Sequence, residues 1–146
     1  MYIVLVEDDH LQAEWVESCF GAAFHGVKVE RISTESEFYS RLDGIMDARP
    51  DVFIIDVMLR WADPGPTMQE PPNEVRENGF YRAGLRCKEK ILENEKARSI
   101  PIILYTVLEE LDLEKALQNN PPSVTYLRKD SDSEPLIKMI REVTQR

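Results

Sequence analysis

Acidic side chains stand at the ends of two apolar, β-prone segments of the chain. Glu7, Asp8 and Asp9 directly follow the segment YIVLV. Asp56 closes a second such segment, DVFIID. Carboxylates that lie side by side repel each other and raise one another's pKa unless a cation neutralises them. Because carboxylate oxygens are the ligands that a hard divalent cation such as Mg²⁺ prefers, these residues predict a divalent-cation site.

Asp56 also belongs to a set of residue types that can transfer a phosphoryl group. A carboxylate can attack a phosphoryl group and form an aspartyl phosphate, provided that cations neutralise the phosphoryl oxygens and a donor steadies them. Thr106 and Lys129 offer the hydroxyl and the ammonium group needed for those roles, at or just past the ends of further apolar segments. The residues alone therefore predict a Mg²⁺-dependent phosphoryl site.

Five segments of the chain are candidate strands. Those at 2–6, 51–56 and 101–106 have the length and β-branched content of strands buried on both faces, as in a parallel sheet. Two weaker candidates, at 27–33 and 123–129, have the mixed or alternating character of strands near a sheet edge.

The segments between the predicted strands have helical periodicity and predict five helices. These helices begin near Asp9, Thr34, Gly79, Glu109 and Ser133. Asp9 and Thr34 are predicted N-caps, because each has the spacing of a capping box with the residue three positions on. The third helix runs towards Arg98 with an inner face of Ala83, Cys87 and Ile91. In the first helix, apolar residues recur every four positions, with Val16 and Phe20 alongside, at Leu11, Trp15, Cys19 and Ala23.

The strict alternation of strand and helix predicts a doubly wound α/β fold, with a parallel sheet and helices on both of its faces. In this fold class, ligands bind beyond the carboxyl ends of the strands. Glu7, Asp56, Thr106 and Lys129 all lie at such ends. We therefore expect polar groups from four strands to meet at one edge of the sheet.

One stretch, at 57–78, breaks the alternation. It contains four of the chain's nine prolines and has no sustained period. Because it is too long for an ordinary strand-to-helix loop, it predicts a surface insertion over about 60–78, extended or partly disordered. Trp61 and the prolines after it either bind a partner or form a tolerated insertion, and the position beside the site favours partner recognition.

The composition bounds the remaining classes of function. A chain of 146 residues predicts a single domain over 1–146. The net charge of −9 argues against nucleic-acid and membrane partners, since it repels phosphate backbones and anionic lipids. The apolar N-terminal segment is too short for a signal peptide or a membrane span, so a cytoplasmic protein is expected. Cys19 and Cys87 match no metal-binding spacing, which predicts reduced cysteines in helix packing.

The whole chain, apart from the insertion, resembles the receiver domains of response regulators in two-component signalling. The resemblance rests on the motifs IVLVEDD, PDVFIID, PIILYT and YLRK in the family's order and spacing. It implies a flavodoxin-like sheet of order 2-1-3-4-5, a Mg²⁺ cofactor with Mn²⁺ as a substitute, and a stand-alone receiver without an output domain. The implied phosphoryl donor is a sensor histidine kinase or a histidine phosphotransfer protein. The implied role is a switch that alters binding to an unknown downstream protein, not a metabolic enzyme, although it catalyses its own phosphorylation and dephosphorylation.

The resemblance also implies roles for individual residues at the metal site. Asp56 falls on the family's phosphoacceptor, while Glu7 and Asp8 fall on its acidic pair. Asp8 and Asp56 would bind the metal directly, and Glu7 would act through water. Met58, two residues after Asp56, would add its backbone carbonyl as a ligand.

Three further residues match the family's switch positions. Thr106 falls on the hydroxyl residue and Lys129 on the lysine. Tyr126 falls on the aromatic position whose rotamer reports phosphorylation. By resemblance, Thr106 would move towards the phosphoryl group and free space for Tyr126, which couples the chemistry to the surface formed by the fourth strand, fourth helix and fifth strand.

Three residues depart from the family's pattern and leave alternatives open. Receivers usually have proline where this chain has Arg60 and Asp130, and a small residue where it has Val107. The second hypothesis is therefore a pseudo-receiver, a constitutive interaction module in which Lys129 pairs with Asp56 or Asp8 without phosphorylation. A Mg²⁺-dependent hydrolase ranks last, because no second acid/base aspartate shortly follows Asp56.

Overall fold

The sheet has the predicted strands and the predicted order. The computed structural model describes residues 1–66 and 70–145, and in this part of the chain five strands form one parallel sheet of order β2-β1-β3-β4-β5. The strands are β1 Tyr2–Val6, β2 Lys28–Ile32, β3 Val52–Ile55, β4 Ile102–Thr106 and β5 Val124–Arg128. The doubly wound, flavodoxin-like fold of order 2-1-3-4-5 is confirmed.

Helices cover both faces of the sheet. They are α1 His10–Ala23, α2 Glu35–Ala48, α3 Asn73–Asn78, α4 Ala83–Glu93, α5 Glu114–Leu117 and α6 Glu134–Thr144. One core cluster joins α2, α4 and the turn before α5 to one face of the sheet, and the other joins α1 and α6 to the opposite face. None of the helices in the described residues is long and apolar enough to cross a membrane.

The two layers explain why the central strands are apolar throughout. Successive residues of a strand point to opposite faces, so a strand between two helix layers is buried at every position. All residues of β3 and β4 are buried, as are the last four of β1. The outer strands β2 and β5 are mostly half-buried and carry charged residues, which accounts for their weaker sequence signal.

Both predicted N-caps are confirmed. The Asp9 carboxylate accepts hydrogen bonds from the backbone N–H groups of Leu11 and Gln12, at 3.0 and 3.1 Å. The Thr34 hydroxyl accepts one from the N–H of Glu37 at 3.2 Å. These side chains satisfy N–H groups that have no partner within the helix and so fix where α1 and α2 begin.

The predicted apolar face of α1 is confirmed for Val16 and Phe20 and wrong for Leu11 and Trp15. The buried residues of this helix are Ala13, Val16 and Phe20, whereas Leu11 is 79% exposed and Trp15 is 37% exposed. A spacing of four residues drifts around a helix that has 3.6 residues per turn, while steps of three and four stay on one face. Position within the turn, and not apolar character, decides which side chains meet the sheet.

The predicted helix from Gly79 towards Arg98 is also wrong at both ends. A 3₁₀ turn at Phe80–Arg82 precedes α4, which ends at Glu93, and a separate short helix, α3, lies within the insertion. The predicted inner face is confirmed, since Ala83, Cys87 and Ile91 are fully buried. The predicted fourth helix is a 3₁₀ turn at Glu110–Leu113 followed by the four residues of α5.

The described parts of the insertion are attached to the fold at both ends. At its start, the carbonyl groups of Arg60 and Trp61 accept hydrogen bonds from the N–H groups of Glu35 and Ser36, at 3.0 and 2.8 Å. At its end, the carbonyl of Gly79 accepts one from an Arg86 guanidinium that is ion-paired with the fully buried Glu35. The segment 67–69 of the insertion lies outside the described residues.

Candidate functional site

The carboxyl ends of the strands bring the predicted polar residues to one edge of the sheet. The backbone ladder continues past the strand ends, with hydrogen bonds from the N–H of Asp56 to the carbonyl of Val6 at 2.9 Å and from that of Lys129 to the carbonyl of Thr106 at 2.8 Å. The N–H of Glu7 likewise bonds to the last residue of β2. The sheet itself therefore fixes the backbone from which these side chains project.

Three carboxylates form the centre of this edge. Glu7, Asp8 and Asp56 each place a carboxylate oxygen within 4.8 Å of the other two. Glu7 is 3% exposed and Asp56 is 7% exposed, while Asp8 is half-buried. These oxygen donors fit Mg²⁺, which prefers oxygen ligands and keeps several waters, because the half-buried Asp8 leaves solvent access on its side.

The Lys129 ammonium lies between the two buried carboxylates. Its Nζ donates to Asp56 Oδ2 at 2.9 Å and makes a shorter contact with Glu7 Oε1. Burial lowers the pKa of Lys129, but the charges of Asp56 and Glu7 outweigh burial and raise the pKa above its ordinary value. Burial and the Asp56 charge raise the pKa of Glu7 to about 7, against the opposing effect of Lys129. Without a bound cation, Lys129 is the main charge that compensates these two acids.

Each carboxylate oxygen of Asp56 accepts a hydrogen bond from a different donor. Its Oδ1 accepts a hydrogen bond from the N–H of Met58 at 3.2 Å, and its Oδ2 accepts the bond from Lys129. Met58 thus contacts the site through its backbone, as its position two residues after Asp56 requires. The role of the Met58 carbonyl as a metal ligand stays a prediction.

Gly84 positions Asp56 and was missed by the sequence analysis. A Cβ atom at residue 84 would lie 2.0 Å from the carbonyl oxygen of Asp56 and 2.7 Å from the Cα of Val57. The N–H of Gly84 donates to the carbonyl of Val57 at 2.8 Å. Only glycine therefore lets α4 start directly against the end of β3. A glycine within an amphipathic helical pattern was the available signal, since it often indicates close packing.

Thr106 and Tyr126 are joined through one residue, Leu108. Thr106 is fully buried, and its hydroxyl oxygen accepts a hydrogen bond from the N–H of Leu108 at 3.3 Å. The half-buried Tyr126 donates its hydroxyl to the carbonyl of Leu108 at 2.5 Å. The two predicted switch residues therefore both hydrogen-bond to Leu108, in the connection between β4 and α5.

Arg60, one of the departures from the family's pattern, lies against the acidic pair. Its backbone N–H donates to Asp8 Oδ2 at 3.0 Å, and its guanidinium Nε lies 3.7 Å from the same oxygen. Val107, another departure, is 55% exposed at the end of β4. The first residue of the insertion is thus part of the site, which the sequence analysis did not predict.

Comparison with known proteins finds similar structures but no similar sequence or sequence family. No protein-family model matches the chain, and no curated protein sequence matches it. Among solved structures, a signal receiver domain of a histidine kinase from Clostridium thermocellum is 16% identical with a TM-score of 0.72, covering 99% of this chain and 98% of that one.

Two further solved structures are similar over the same length. A signal receiver domain of a signal transduction histidine kinase from Syntrophus aciditrophicus is 21% identical, with a TM-score of 0.68 and coverage of 99% of this chain and 89% of that one. The receiver domain of a sensor histidine kinase from Pseudomonas aeruginosa PAO1, solved with a magnesium ion in its active-site cleft, is 20% identical, with a TM-score of 0.69 and coverage of 99% and 98%. The chain therefore has the fold of receiver domains.

Proposed function

We propose that the chain is a receiver in two-component signalling that accepts a phosphoryl group on Asp56. The donor is a phosphohistidine of a sensor histidine kinase or of a histidine phosphotransfer protein. The observation that carries the proposal is the convergence of three carboxylates and Lys129 at one edge of a receiver-type sheet. Similarity in fold alone would not support it, because one fold hosts many functions.

The residues of the site match the needs of the transfer. A carboxylate oxygen of Asp56 attacks the phosphorus, the bond from phosphorus to the donor's imidazole nitrogen breaks, and the imidazole leaves with the bond's electron pair. The carboxylates of Asp8 and Asp56, the Met58 carbonyl and, through water, Glu7 would hold Mg²⁺ or Mn²⁺, whose charge neutralises the phosphoryl oxygens. Lys129 exchanges its bond to Asp56 for one to a phosphoryl oxygen, so its positive charge stays at the site.

Phosphorylation then changes a surface of the protein. Thr106 turns its hydroxyl towards the new phosphoryl group and so withdraws it from the N–H of Leu108. Tyr126, whose hydroxyl donates to the carbonyl of Leu108, repacks in response. This is a shift between two packings that one new charged group biases, and it alters the surface formed by β4, α5 and β5.

The protein acts as a switch and not as a metabolic enzyme. It catalyses its own phosphorylation and dephosphorylation in the cytoplasm, and the change is read by a downstream protein. The net charge of −9 favours such a partner over nucleic acid or an anionic membrane.

Incubation with acetyl phosphate and Mg²⁺ tests the proposal directly. Intact-mass measurement is expected to find one added phosphoryl group, and Asp56→Asn is expected to abolish it. Asp47→Asn is a matched control, because Asp47 is an exposed carboxylate at the end of α2, and this variant should keep the adduct. Absence of an adduct at every Mg²⁺ concentration, together with no structural response to beryllofluoride, would support the pseudo-receiver instead.

A further inference from the structure

Two positively charged side chains contact the three carboxylates of the site. Lys129 contacts Glu7 and Asp56, and Arg60 contacts Asp8. The guanidinium of Arg60 also donates from Nη2 to the backbone carbonyl of Asp8 at 3.4 Å. Asp8, the most accessible of the three acids, is therefore already paired with a positive charge before any metal binds.

The backbone of Arg60 is held in place on both sides. Its N–H donates to Asp8 Oδ2, and its carbonyl accepts a hydrogen bond from the N–H of Glu35 at 3.0 Å. The N–H of Glu35 belongs to the first turn of α2, where N–H groups have no partner within the helix. These two bonds fix the backbone of Arg60 between Asp8 and the start of α2, which keeps its side chain within reach of Asp8.

We propose that Arg60 is a positioning residue of the metal site, a tethered counter-ion of Asp8 that competes with Mg²⁺ and weakens its binding. This inference rests on the proposed function, because it requires that Asp8 bind Mg²⁺. The Arg60 N–H and guanidinium both contact Oδ2 of Asp8, so the positive charge lies directly beside a proposed metal ligand. Asp63 offers an alternative partner, since its Oδ1 lies 3.6 Å from Nη1 of Arg60. The guanidinium thus has a second carboxylate to bind when Mg²⁺ takes Asp8.

The expected size of the effect follows from exposure. The Arg60 side chain is 46% exposed, so water and salt screen its charge and the effect is moderate. Removing one positive charge next to a metal ligand under these conditions is expected to tighten Mg²⁺ binding about three- to tenfold at low salt. The difference should shrink as ionic strength rises.

The test is calorimetric titration of the metal-free protein with Mg²⁺. Arg60→Met removes the charge and keeps the backbone N–H and most of the side-chain length, so its dissociation constant is expected to be about three- to tenfold lower than that of the unaltered protein. Arg60→Lys, which keeps a charge, should stay close to the unaltered protein. Lys138→Met, which removes one charge from an exposed position on α6, controls for net charge and should have no such effect.

The outcomes separate this inference from the proposed function. If Arg60→Met binds Mg²⁺ with unchanged or weaker affinity, or if its gain does not depend on salt, the inference is wrong, although Asp56 can still accept a phosphoryl group. Asp8→Asn should abolish Mg²⁺ binding. If neither the unaltered protein nor Arg60→Met has Mg²⁺ binding that depends on Asp8, the metal site of the proposed function fails as well. Circular dichroism checks that each variant is folded.

Discussion

Glu7 is the acid whose surroundings are least favourable to its charge. It is almost fully buried, it faces Asp56, and a single ammonium group must serve both carboxylates. Desolvation favours the neutral form of a carboxyl group, as does a neighbouring carboxylate. The metal-free site is therefore under electrostatic strain that a divalent cation would relieve.

The raised pKa of Glu7 predicts how folding stability depends on pH. Between its ordinary pKa of 4.5 and about 7, folded Glu7 retains a proton that the unfolded chain releases, so rising pH favours unfolding. The stabilisation from Glu7 is thus fully present below about pH 4.5 and is lost as pH rises through about 7. Urea unfolding in EDTA from pH 5 to 8 should detect this loss, and Glu7→Gln should lack it.

Glu142→Gln is the control for this pH series. Glu142 is an exposed carboxylate on α6, so its replacement should leave the pH dependence of unfolding as it is in the unaltered protein. Parallel curves for the unaltered protein and Glu7→Gln would contradict the assignment of this stability change to Glu7.

The junction between β3 and α4 determines where Asp56 sits. The start of α4 touches the backbone of Asp56 and Val57 at Gly84, and the N–H of Leu59 bonds to the carbonyl of Phe80 at 3.1 Å. These contacts close the insertion into a loop whose two ends meet beside the site. The insertion can therefore vary in its middle without moving Asp56.

Gly84→Ala is expected to be strongly destabilising. Its Cβ would meet backbone atoms at 2.0 and 2.7 Å, and backbone cannot rotate away as a side chain can. We expect a loss of about 3 kcal/mol or more in the free energy of unfolding, measured with urea, because overpacking here displaces a helix. Gly44→Ala in α2 is the matched control: apart from its chain neighbours and the adjacent backbone of α2, no atom of the described residues lies within 4 Å of its added Cβ, so it should gain about 0.5–1 kcal/mol. Equal effects of the two substitutions would contradict the close-approach argument.

The same junction explains which parts of the structure could be predicted from sequence. Strands buried on both faces leave a strong local signal, and parallel strands place their carboxyl ends at one edge, so Glu7, Asp56 and Lys129 could be brought together from the sequence. The start of α4 could not, because it depends on Gly84 meeting the backbone of Asp56 and Val57, just past the end of β3. The contact between Arg60 and Asp8 spans 52 positions and involves a residue with no periodic pattern around it.

In the molecule as a whole, one residue, Leu108, links the site to the β4-α5-β5 surface by hydrogen bonds. The N–H of Leu108 donates to Thr106, whose side chain is buried at the site edge of the sheet. The carbonyl of Leu108 accepts from Tyr126, which is half-buried among the core residues on the α2 and α4 side. The helix that follows is only four residues long. A helix of this length has few backbone hydrogen bonds of its own, so opening it costs little free energy.

Hydrogen exchange should therefore detect the proposed rearrangement at Leu108. When beryllofluoride and Mg²⁺ occupy the site, Thr106 turns away, the N–H of Leu108 loses its acceptor, and its exchange is expected to accelerate about tenfold relative to the free protein, consistent with the loss of one hydrogen bond. Thr106→Val has no hydroxyl to withdraw, so Leu108 should exchange fast in both states. Thr125→Val, which removes a hydroxyl from the neighbouring strand, should respond like the unaltered protein. An unchanged rate at Leu108 in the beryllofluoride complex would exclude Thr106 as the link between the site and this surface.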